Sequence, residues 1–127
     1  MKNKFINKKV KLDGLTFASK KEARFYLYFK GLERDGKISH LQTQVRFDFP
    51  INGEILRYAD SNRPLTYYAD FTYIENEILV VVDVKCAVFK GKLTEAQKKR
   101  RAALIRPEYK IKKALMKSVH GISVVEV

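Results

Sequence analysis

Cysteine, histidine and long apolar runs are scarce in these 127 residues, and each shortage removes a class of function. The single cysteine, Cys86, has no partner for an internal disulfide, and His40 and His120 are the only histidines, so no zinc site of Cys/His type assembles. Cys86 reads as a small packing residue, and both histidines read as surface or packing groups. No run of about 18 apolar residues is present, and the Lys- and Asn-rich amino terminus lacks the apolar stretch of a signal peptide. The expectation is a soluble, cytoplasmic protein with no membrane partner. A Gly-rich phosphate loop, a Ser-His-Asp set, internal repeats and low-complexity tracts are also missing, and nothing points to a small-molecule cofactor.

What remains is enough for one domain spanning residues 1–127, with residues 1–9 as a basic, mobile arm. The formal net charge of +12 is unevenly spread. Residues 1–37 hold eleven Lys/Arg against four acids, residues 38–84 three against seven, and residues 85–127 twelve against three. An acidic centre between basic ends suits a polyanion partner, because Lys and Arg contacts to phosphate release counterions.

That acidic centre is the stretch Thr66 to Lys85. Two β-rich runs flank a polar break at Asn76 and Glu77, which predicts a β-hairpin. Counting back from a turn at those residues sets Asp70 opposite Asp83, with both carboxylates on one face. Side chains alternate along a strand, so Lys85 shares the face of Asp83, roughly 7 Å away, while Val82 and Val84 point to the other side. Facing like charges repel, so a positive group belongs between them. Two carboxylates with a lysine two residues on suit a divalent metal ion and an activated water. The same tripeptide also occurs on ordinary solvent-facing edge strands; the cross-strand placement of Asp70 is what favours a site.

Around the hairpin, Val10 to Leu12 and Leu15 to Phe17 flank Asp13-Gly14 as a short hairpin. Ser19 is an N-cap with Glu22 three residues later, opening a helix that runs to about Glu33 with Phe25, Phe29 and Leu32 inward and Tyr26 and Tyr28 widening the stripe. Glu22 has two readings, the distal half of a capping box or a carboxylate at the helix edge that reaches the hairpin. Ile38 to Phe49 is strand-like, and Pro50 to Pro64 reads as a long loop with a short extension around Ile55 to Tyr58. A second helix spans Thr94 to about Ile105. A third opens at Pro107, carries Ile111, Leu115 and Val119 inward and stops at Gly121, and Ile122 to Val127 forms a last strand. Lys90, Lys92, Lys98, Lys99, Arg100, Arg101 and Arg106 crowd the segment leaving Lys85 and are candidate phosphate-tracking residues.

Taken together, these residues resemble the PD-(D/E)xK nuclease superfamily. Asp70 within Tyr-Ala-Asp-Phe is similar to the first motif Asp, Asp83-Val84-Lys85 to the (D/E)xK element, and Glu22 to the acidic residue of the preceding helix. More narrowly, Phe-x-Ser-Lys-Lys-Glu-Ala, Tyr-Ala-Asp-Phe, Asp-Val-Lys and Pro-Glu-Tyr-Lys-Ile-Lys look like small phage-encoded endonucleases of the endonuclease I and Holliday-junction resolvase types. Three departures stand out: no Pro precedes Asp70, Cys86 takes a position where Gly is favoured, and Ala87 to Arg106 is longer.

The resemblance implies an α/β fold with a restriction-endonuclease-like αβββαβ core, a central mixed β-sheet flanked by helices. It implies Mg²⁺ or Mn²⁺ held by Asp70, Asp83, the Val84 carbonyl and Glu22, with Lys85 assisting the attacking water. It further implies a homodimer cutting branched DNA in phage replication or recombination, in the host cytoplasm. Two other readings stand beside it, a less structure-selective endonuclease and a non-catalytic basic nucleic-acid-binding module.

Overall fold

The computed structural model describes residues 9–85, 94–96 and 107–127. Strands β1 (Val10–Leu12) and β2 (Leu15–Phe17) form the first hairpin, turning at Asp13 and Gly14, both at positive φ. Such a turn matches the right-handed twist of its strands. Helix α1 (Lys20–Arg34) starts at the Ser19 cap and stops at Asp35. Strand β3 (Ser39–Asp48) pairs antiparallel with β6 (Thr66–Glu75), and β6 pairs antiparallel with β7 (Ile78–Asp83). Between β3 and β6 lies a second small hairpin, β4 (Pro50–Ile51) with β5 (Glu54–Ile55), followed by a turn that an Arg57–Pro64 bridge closes. Helix α2 (Pro107–His120) leads to β8 (Val125–Glu126), which runs parallel to β7. The central sheet has the order β3-β6-β7-β8 and is mixed, so the protein is α/β.

Each face of this sheet carries a hydrophobic core. On one, α1 sets Ala23, Tyr26 and Phe29 against Phe17, Phe71 and Val82, with Val80 and Val84 beside them. On the other, Met116 of α2 is fully buried among Phe49, Tyr67, Ala69, Val81 and Val124. Alternate residues of β7 thus serve opposite sides, as a doubly covered strand requires. Strand β6 behaves differently. Its odd-numbered residues serve both cores, Phe71 and Tyr73 the first and Tyr67 and Ala69 the second. The faces exchange at Asp70, the residue between them. In β3 the same change occurs between Leu41 and Phe47, across Gln44, whose φ of 51° lies in the left-handed region.

Several expectations need correction. Pro50 to Pro64 is not one open loop, because the Asn52-Gly53 turn folds its first half into the β4–β5 hairpin. Ile111 is 57% exposed, so the inward stripe of α2 is Tyr109, Met116 and Val119 with Leu115 beside it. Tyr28 lies outward rather than widening the α1 stripe. The last strand covers only Val125–Glu126. Most of the expected second helix lies outside the described residues, as does Cys86.

Candidate active site

Glu22 sits in the first turn of α1, only 6% exposed. Half of the capping box forms, since Ser19 Oγ accepts from the Glu22 N–H at 3.1 Å. The carboxylate itself has a backbone hydrogen bond at Ala18 and accepts from Gln44 Nε2 at 3.2 Å. The carboxylate thus reaches Gln44 of β3 and not the β6–β7 hairpin itself. Burial, reinforced by the charge of Asp70, lifts its pKa to about 7 against these hydrogen bonds.

Gln44 is the joint between helix and sheet. The same Nε2 lies 3.3 Å from Asp70 Oδ1, so one neutral amide serves two carboxylates. The register of β3 on β6 sets Gln44 level with Asp70, between the pairs Thr43↔Phe71 and Val45↔Ala69. On the other side, the Val84 N–H donates to Asp70 Oδ2 at 2.7 Å. Burial raises the Asp70 pKa and the Val84 hydrogen bond opposes that rise. The β6–β7 ladder holds the expected register from Glu75↔Ile78 to Phe71↔Val82. One step further, Asp70 turns its carboxylate onto the Val84 N–H just past the end of β7, a contact that counting registers does not anticipate.

The third group is built on the end of β7. Asp83 Oδ2 pairs with Lys85 Nζ at 2.7 Å, and Tyr67 donates to Asp83 Oδ1 at 3.1 Å. Lys85 thus places a positive group on Asp83 alone and not between the two carboxylates, since Asp70 is held by Gln44 and the Val84 N–H. Its ammonium lies 3.1 Å from the centre of the Tyr109 ring, and its backbone carbonyl accepts from Lys21 Nζ at 2.6 Å. Tyr109 in turn donates to Glu126 Oε2 at 2.6 Å. Burial, first of all, raises the pKa of both Tyr67 and Tyr109, so each remains a neutral phenol that donates. β8 clamps this segment, with Lys85 N–H donating to Val127 O at 2.8 Å and Val127 N–H to Asp83 O at 3.0 Å.

Glu22, Asp70, Val84, Asp83 and Lys85 therefore form a connected line, from α1 through the point where the sheet faces exchange to the end of β7. Lys90, Lys92, Lys98, Lys99, Arg100, Arg101 and Arg106 lie outside the described residues. Sequence reasoning missed Gln44, Tyr67, Lys21 and Tyr109. Lys21 and Tyr109 stand inside motifs already singled out and Tyr67 immediately before Tyr-Ala-Asp-Phe, whereas Gln44 is one polar residue among several on an edge strand and carries no local signal.

The donors are hard oxygens, the chemistry that Mg²⁺ or Mn²⁺ takes. Glu22 and Asp70 share a neutral amide, and Asp83 has Lys85 beside it, so the three carboxylates outnumber the cation bonded among them. Charge and donor type thus fit a divalent cation. Among the described residues, however, no three His, Cys, Asp or Glu side chains form a group ready to share a metal ion. Gln44 fills the gap between Glu22 and Asp70, and Lys85 and Tyr67 hold Asp83.

No curated protein and no solved structure matches the chain. A family model does match, over residues 2–120, and its description is protein of unknown function. With nearly the whole length matched, the chain belongs to the DUF1064 family.

Proposed function

We propose that this protein is a metal-dependent endodeoxyribonuclease of the PD-(D/E)xK type, acting on branched DNA in phage replication or recombination. One observation carries the reading: Glu22 and Asp70 share the amide of Gln44 at 3.2 and 3.3 Å, and Asp70 accepts at 2.7 Å from the N–H of Val84, the residue between Asp83 and Lys85, which pair at 2.7 Å. The order α1, β3, β6, β7, α2, β8 agrees with a restriction-endonuclease-like αβββαβ core.

In this reading Asp70, Asp83, the Val84 carbonyl and Glu22 would hold Mg²⁺ or Mn²⁺. The bound ion supplies Lewis-acid polarisation of a phosphodiester oxygen and acidifies a water. Lys85, steadied by Asp83 and the Tyr109 ring, orients the attacking water and offsets charge as the phosphate becomes pentavalent. Tyr67 fixes Asp83 by donating to the oxygen that Lys85 leaves available. The expected products carry a 5′-phosphate and a 3′-hydroxyl. Cutting both strands takes two sites, which a homodimer supplies.

The test is cleavage of a four-way junction and of a linear duplex with Mg²⁺. Asp70→Asn and Asp83→Asn should abolish cleavage, and Lys85→Met should lower its rate by about 10²–10⁴-fold. Full activity in either Asn variant would overturn the site. Equal rates on both substrates would replace junction selectivity with a general endonuclease, and binding by the parent without cleavage would leave a nucleic-acid-binding module.

A further inference from the structure

Beside the site, α2 and β8 enclose an open groove of about 510 Å³. Lys110, Lys113 and Lys117 line it, spaced three and four residues apart on one helix face, with Ser123 of the following loop opposite. Tyr109 and Glu126 close the end nearest the site. Glu126 is the one carboxylate in this lining, and Lys113 pairs with it at 3.2 Å. The same carboxylate accepts from Tyr109, whose ring carries Lys85, so the groove ends one aromatic ring away from the proposed centre.

We infer that this groove, resting on the nuclease reading, is the track for the phosphate backbone of the DNA strand presented to Lys85. Seven residues of helix advance about 10 Å, and a duplex strand carries one phosphate per about 3.4 Å of axis. Along the strand itself successive phosphates lie about twice that axial step apart, so three lysines over that length reach about two consecutive phosphates. An acidic peptide offers no such fixed repeat of charge. Lysines that contact phosphate position the strand without selecting sequence.

The test compares Lys110→Gln/Lys113→Gln/Lys117→Gln with the parent and with Lys30→Gln/Arg34→Gln/Lys37→Gln, which removes equal charge at the far end of α1. Binding of a fluorescent four-way junction and a linear duplex is measured by anisotropy, with Ca²⁺ replacing Mg²⁺, over a range of salt. The α2 variant should bind both DNAs more weakly, and its log-affinity against log-salt slope should flatten by roughly 0.9 for each phosphate that is no longer neutralised. The α1 variant should change much less. Equal weakening in the two variants would reduce α2 to its share of net charge and overturn the track. Parental affinity and slope in the α2 variant, while the parent still cuts DNA, would also overturn it and leave the nuclease reading intact. A parent that neither binds nor cuts DNA would remove both.

Discussion

Gln44 does for the carboxylates what no nearby local motif does: it offers each of Glu22 and Asp70 half of a neutral amide. That support is weaker than a cation, and Glu22 shows the cost in a pKa of about 7 against an ordinary 4.5. An acid raised on folding binds its proton more tightly in the folded state than in the unfolded chain. Its contribution is therefore a penalty that is absent below about pH 4.5, grows as pH rises, and is complete above about 7. Glu22→Gln keeps the hydrogen-bond acceptor and removes the charge. We predict that it stabilises the metal-free protein at pH 8 by up to about 3 kcal/mol, with the difference vanishing near pH 4. Urea titrations at the two pH values check this, and equal stabilities at pH 8 would remove Glu22 from the charge cluster. Asp70 rises in the same direction, so part of the gain comes from relief of its repulsion.

At the scale of elements, three hairpins turn on pairs of residues at positive φ: Asp13-Gly14, Asn52-Gly53 and Asn76-Glu77. Only the last, in the hairpin that bears Asp70 and Asp83, has a residue with a Cβ at its second position, Glu77 at 64°. A left-handed conformation costs an L-residue roughly 1–2 kcal/mol, and glycine escapes it at the expense of chain entropy. Glu77→Gly should therefore raise stability by about 0.5–1 kcal/mol, read as a higher urea midpoint with an unchanged slope. No gain would mean that the turn holds Glu77 without strain.

Turn chemistry of this kind is local, and for that reason the β1–β2 and β6–β7 hairpins, the Ser19 cap and the Phe71↔Val82 register were legible in the amino-acid order. The β4–β5 hairpin escaped because strands of two exposed residues show no alternation. Ile111 misled because its spacing from Leu115 is right for a stripe, while the side of α2 that meets the sheet is decided by Met116. Gln44 was hidden for a third reason. Its role arises from the exchange of sheet faces, which no neighbouring residue announces.

For the whole molecule, the net charge of +12 coexists with a buried cluster of negative charge. A divalent cation that binds the folded chain and not the unfolded one adds stability as RT ln(1 + [L]/Kd), or about 2.7 kcal/mol at a hundredfold excess over Kd. Mg²⁺ or Mn²⁺ should thus raise the melting temperature by several degrees, and chelation should reverse the rise. Asp70→Asn should respond to neither. A parent whose melting point ignores both ions would argue against a metal role for these carboxylates, independently of any cleavage assay.

The clamp that β8 places on the end of β7 carries a consequence for the order of synthesis. A ribosome releases Glu22, Gln44, Asp70 and Asp83 long before residues 125–127, yet Lys85 and Asp83 are held by backbone bonds to Val127. The links Glu22 to Gln44 and Lys21 to Lys85 span 22 and 64 residues, so the line of groups depends on distant parts of the chain meeting. A nascent chain therefore displays its basic amino-terminal segment well before Asp83 and Lys85 are locked in place. The pairing of Asp83 with Lys85 is fixed only once β8 has docked beside β7.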